Sequence, residues 1–135
     1  MKEILLLPLA LVFILSACKY DAIKEASASP VSAQLKLGEA SYIITPSITI
    51  SLDSVLSDSR CPENANCVWA GNAEVRFIFS DNASEEKFTL KTNPGLKTET
   101  VIHGYRIQLV KLTPYPNTSI VIKQTDYQAE LSIQK

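Results

Sequence analysis

Period-2 alternation of apolar and polar residues recurs from Ser47 to Gln134 and constrains this chain to β-structure. The clearest run is Tyr127, Ala129, Leu131 and Ile133, interleaved with Gln128, Glu130, Ser132 and Gln134. Successive side chains of a strand point to opposite faces, so such a run reads as a half-buried strand. Ser47 to Leu52 alternates likewise, with Ile48, Ile50 and Leu52 on the inward face. A longer run places Cys67, Trp69, Gly71, Ala73, Val75, Phe77 and Phe79 on one face. Gly71 is a candidate bulge or close approach within it.

The remaining segments are shorter. Leu35 and Leu37 alternate ahead of a Gly38-Glu39 turn, and folded structure is expected to begin between Gln34 and Leu37. Ala40 to Thr45 is a strand with Tyr42 and Ile44 on one face, ended by Pro46. Asp53 to Ser59 reads as a polar lead into the cysteine segment. Ser80 to Ser84 is turn chemistry, and Glu85 to Leu90 returns as a hairpin partner with Phe88 and Leu90 inward. Asn93-Pro94-Gly95 turns the chain again, and a β-rich stretch from Thr98 to Ile102 leads to a His103-Gly104 turn. Tyr105 to Leu112 follows, with Tyr105, Ile107 and Leu109 inward; Val110 and Leu112 suggest cover on both faces near its end. Pro114 and Pro116 lack the amide donor and stop it. Ile120 to Thr125 reads as a further short strand.

About seven short strands with frequent turns and no long helical period predict an antiparallel β-sandwich, immunoglobulin-like in general architecture. A small β-barrel is the alternative. The formal net charge is −1 and no basic patch stands out, so a nucleic-acid partner is not expected.

The N-terminus carries a different signal. Residues 4–17 are an uncharged apolar run. As a helix it would span about 21 Å, against about 30 Å of hydrocarbon core. It reads as a signal peptide. Leu15-Ser16-Ala17-Cys18 resembles the lipobox of bacterial lipoproteins. That resemblance implies cleavage before Cys18, diacylation (palmitate-type chains) of its thiol, and membrane attachment through the lipid, which two acyl chains make lasting. Lys19 stands where an aspartate would retain an enterobacterial lipoprotein at the inner membrane, so the outer membrane is favoured. Removal of residues 1–17 leaves 118, enough for one domain. The expected organisation is a signal peptide at 1–17, lipidated cysteine and flexible tether at 18–34, and one β domain at 35–135. Residues 21–29 within the tether suffice for a helical turn or two.

With Cys18 assigned to lipid, Cys61 and Cys67 remain as a pair in an oxidising compartment. A bridge between them would close a seven-residue loop, worth roughly 2 to 2.5 kcal/mol by chain entropy. Redox catalysis usually places two cysteines closer, at a helix start. Zinc needs two more ligands, and His103 is the sole imidazole. A stiffened loop also suits recognition, since it loses less entropy on binding. Glu63, Asn64, Ala65 and Asn66, with Tyr115 between its two prolines, form the candidate binding surface.

Asp58-Ser59-Arg60-Cys61-Pro62 and Cys67-Val68-Trp69-Ala70-Gly71 resemble a signature of small, uncharacterised lipoproteins of Bacteroidetes and other bacteria. Leu112-Thr113-Pro114-Tyr115-Pro116 and Asp126-Tyr127-Gln128-Ala129 resemble the same group. It carries no established activity.

No catalytic constellation emerges. His103 has no nominated partner and reads as a turn residue. Asp53, Asp58 and Glu63 lack the spacing of a calcium loop; Asp58 is expected to cap its turn or pair with Arg60. Trp69 is expected in the core beside the bridge. Neither a metal nor a cofactor is expected. The function expected is a lipid-anchored, non-enzymatic binding or structural domain of the cell envelope. An inhibitor-type domain presenting residues 62–66 and an envelope hydrolase are the alternatives.

Overall fold

Alternation in the sequence becomes burial in the computed structural model, which describes residues 29–39 and 41–135. The expected signal peptide, Cys18 and the expected tether up to residue 28 lie outside the described residues. Eight strands form: β1 (Val31–Lys36), β2 (Tyr42–Thr45), β3 (Ile48–Asp58), β4 (Ala73–Ser80), β5 (Glu85–Lys91), β6 (Glu99–Ile102), β7 (Tyr105–Thr113) and β8 (Gln128–Gln134). They assemble into two antiparallel four-stranded sheets, ordered β1-β8-β7-β6 and β2-β3-β4-β5. Neither sheet closes on itself, so the domain is a β-sandwich and the barrel alternative falls.

The inner faces meet in one core. Phe77, Phe79, Ile50, Leu90, Ile107, Leu131 and Val75 are its largest fully buried side chains. Each contributes about 1.5–3 kcal/mol on burial. Phe77 stacks on Phe88 across the β4–β5 pair, with centroids 5.5 Å apart. The inward faces expected for β4, β5, β7 and β8 are the buried ones.

Four local expectations are corrected. β1 starts at Val31, ahead of Gln34, because residues 31–36 pair in register with β8 and seat Ala33 in the core. β3 does not end near Leu52. Asp53 and Leu56 are each an extra residue against β4, so the inward parity moves from Leu52 to Val55 while pairing continues to Asp58. In β7, Val110 is the extra residue; it is exposed, and the strand is not covered on both faces. Ile120 to Thr125 forms no strand. Its end is a 3-10 turn at Gln124–Asp126, and the Gln124 amide takes the place of a strand partner for Val55. It accepts from the Val55 N–H at 3.0 Å and donates to the Val55 carbonyl at 2.7 Å.

Register defines the two ends of the sandwich. Val31 pairs with Ile133, and Ile133 with Ile107, so the segment that leads from Cys18 enters beside the 103–104 turn. There His103 Nδ1 meets Asp81 Oδ2 at 2.9 Å, joining the turns of the two sheets. Lys36 pairs with Gln128, and Gln128 with Thr113, at the opposite end. The cysteine segment, between β3 and β4, belongs to that opposite end.

Candidate functional site

The cysteine segment begins as an extension of the β3–β4 pair. The Ser59 amide donates to the Asn72 carbonyl at 2.8 Å and the Cys61 amide to Ala70 at 2.9 Å. Gly71 sits at φ 73° there, and a Cβ on it would lie 1.9 Å from the Ser59 carbonyl oxygen. Only glycine fits, and its left-handed backbone ends the strand parity two residues before Ala73. Trp69 is therefore not in the core. It is 80% exposed, and Val68 beside it 90%.

Cys61 and Cys67 are bonded, their Cα atoms 5.9 Å apart. The loop they close is tied to its neighbour. The Glu63 amide donates to the Pro116 carbonyl at 3.0 Å, and the Asn117 side chain donates to Glu63 Oε1 at 3.0 Å. Asn64 donates to the Thr118 hydroxyl at 2.7 Å and accepts from the Thr118 amide at 3.0 Å. An inhibitor loop needs a tip clear of its surroundings; Glu63 and Asn64 are instead spent on residues 116–118. Ala65 and Asn66 stay exposed.

Arg60 holds these parts together and is 6% exposed. Its Nε and one terminal nitrogen grip the two oxygens of Asp58 at 2.8 and 2.6 Å. The terminal nitrogens donate to the carbonyls of Leu112 at 2.7 Å and Pro114 at 2.9 Å. The guanidinium carbon lies 4.8 Å from the Tyr115 ring centre. Asp58 also accepts from its own Arg60 amide at 3.2 Å and from the Tyr127 hydroxyl at 3.0 Å. It thus both caps its turn and pairs with Arg60. Burial alone would raise the Asp58 carboxyl; the two-pronged contact with Arg60 and the Tyr127 hydroxyl outweigh it and hold the pKa below 3.8. Burial, then the negative Asp58, pushes Tyr127 up to about 12.

Beside this hub lies an open groove of about 390 Å³. It is lined by Ala70 and Gly71, by Thr92, Asn93 and Pro94, and by the end of β7 with Tyr115. Asn93 braces the walls: its amide nitrogen donates to the Gly71 carbonyl at 3.0 Å and its oxygen accepts from Gly95 at 2.9 Å. Tyr115, half-exposed, is the one expected binding residue in the groove lining. Glu63 and Asn64 are joined to its loop, though not to the groove itself.

The other candidates scatter. Asp53 pairs with Arg76 at 2.5 Å, Asp58 with Arg60 and Glu63 with Asn117, so these carboxylates do not converge. His103 occupies its turn at φ 48°, at the far end of β7 from the groove. Alternation could not reveal the groove, which depends on Gly71 and on the bulge at Val110. The hub left a trace: Asp58 and Arg60 two apart, and a tyrosine opening the last apolar run.

Comparison with known proteins adds no identity: no family model, no curated protein and no solved structure matches this chain.

Proposed function

We propose that this chain is a lipid-anchored, non-enzymatic binding domain of a bacterial cell envelope. Acyl chains on Cys18 hold it in the membrane, the outer membrane by the Lys19 criterion, and the cysteine-loop end of the sandwich meets a protein partner. The observation that carries the reading is Trp69, 80% exposed next to Val68. Both lie in a segment braced by a disulfide, the Arg60 hub and Gly71. Adjoining large apolar side chains left in solvent favour an interaction surface, and tryptophan, tyrosine and arginine dominate interface energetics. A braced loop has already lost the entropy that binding would otherwise cost.

Placement agrees with this role. The lipid-linked segment enters at Val31, level with Ile107 in the register, and the groove is lined by Leu109 to Thr113, about 7 to 20 Å farther along β7 at the rise of an antiparallel strand. The surface points away from its own anchor. Two experiments test the reading. Cys18→Ser releases the protein from membranes and removes the mass of the lipid; unchanged fractionation and mass refute the anchor. Trp69→Ala leaves the fold and the membrane attachment intact but loses a protein that co-purifies with the wild type. Equal recovery of every co-purifying protein refutes the surface.

A further inference from the structure

The groove beside Trp69 has a chemical character that narrows its occupant, given the binding surface proposed above. Most of its polar side chains are already engaged. The Arg60 guanidinium is shared among Asp58, Leu112 and Pro114. The Thr92 hydroxyl accepts from the Ala73 amide at 2.8 Å. Asn93 spends its amide on Gly71 and its oxygen on Gly95. A sugar or nucleobase needs several free, directed donors and acceptors, and these groups offer few. What faces the opening is apolar surface from Ala70, Pro94 and Val110, the Tyr115 ring, and one exposed cation, Lys111. Arg60 is neutralised by Asp58, and Lys111 forms no ion pair among the described residues. Glu130 lies opposite Lys111 in the β7–β8 register and accepts the Ser32 hydroxyl at 3.0 Å, yet no ion pair joins it to Lys111.

The groove is also open, and its Ala70 wall continues directly into the exposed Trp69 and Val68. An open trough that runs on to exposed apolar side chains fits an extended chain better than an enclosed small molecule.

We propose that the groove holds an extended, acidic and apolar peptide segment of the partner protein. An apolar side chain of that segment rests against Val110 and Tyr115, a carboxylate sits at Lys111, and the segment leaves over Trp69. Charge complementarity of this kind selects partners by sign.

The test uses the full lipidated chain in nanodiscs of neutral lipid, with empty discs as control, and fluorescence anisotropy of short labelled peptides. One peptide alternates leucine and glutamate, a second leucine and lysine, a third serine and glutamate. The leucine–glutamate peptide is expected to bind about tenfold tighter than the other two, and to weaken as salt is raised. Lys111→Glu, a change on an exposed side chain, is expected to turn the preference to the leucine–lysine peptide. Tyr115→Ala is expected to weaken binding without changing that preference. The inference is overturned if no peptide binds, if the acidic and basic peptides bind alike, or if Lys111→Glu leaves the preference unchanged. Binding of free anionic lipid vesicles in place of the peptide overturns it equally. Its failure stays separable from that of the surface: if the peptides fail while Trp69→Ala still loses a co-purifying protein, only the groove's occupant was misassigned.

Discussion

Arg60 carries five N–H donors in a plane, and four side-chain bonds here draw on them. Two go to Asp58 and two to carbonyls on the far side of the β7 end, so one side chain fastens the cysteine segment to the opposite sheet. Removing either partner strands a buried charge. Arg60→Met or Asp58→Asn is expected to cost about 3–5 kcal/mol in urea unfolding. Asp58→Leu with Arg60→Met together is expected to lose less than either single change, because no charge is left unpaired. Titration gives an independent readout. The folded Asp58 pKa lies below its unfolded value of 3.8. Its contribution is therefore complete above pH 3.8 and lost as pH falls through the lower folded value, where the unfolded chain takes up the proton first. Tyr127 has the opposite sign. Its folded pKa of about 12 exceeds the unfolded 10.0, so its contribution is complete below pH 10.0 and fades as pH rises toward about 12. Equilibrium unfolding across both windows, for wild type and Tyr127→Phe, checks this: the alkaline loss is expected to shrink in the variant.

At the scale of elements, the cysteine segment behaves as an extended and stapled β3–β4 connection. Reduction of Cys61–Cys67 is expected to lower stability by roughly 2 kcal/mol, since the bridge closes a short loop. Denaturant unfolding with and without reductant measures it, and an unchanged midpoint would contradict the bracing role. The strands that were legible in the sequence are those where period 2 runs unbroken: β2, β3 as far as Leu52, β4, β5 and β8, and β7 as far as Leu109. Each illegible stretch has a local cause. The extra residues Asp53 and Leu56 scramble the parity of β3, so its second half reads as a polar loop. Val110 does the same in β7. Ile120 to Thr125 has the composition of a strand, yet a single amide, Gln124, satisfies the Val55 backbone in place of a strand. Trp69 shares the parity of Val75 and Phe77 on paper, and the left-handed Gly71 takes it out of register and into solvent. The groove was hidden for the same reason: it is made by bulges and turns, which period counting cannot see.

For the whole molecule, the proposed reading gives the two ends of the sandwich different work. One end receives the chain that leads from Cys18 and is closed by the His103–Asp81 contact between turns. The other carries the disulfide, the buried ion pair, the groove and the exposed Trp69. Recognition at the second end, as proposed, would put partner and membrane on opposite sides of the domain. Site-specific photo-crosslinking in intact cells tests this most directly, with a photoreactive residue placed once at Trp69 and once at His103. A discrete protein adduct from position 69 and none from position 103 is the expected result. An adduct from position 103 alone, or from neither position, would contradict the assignment of the cysteine-loop end as the binding face.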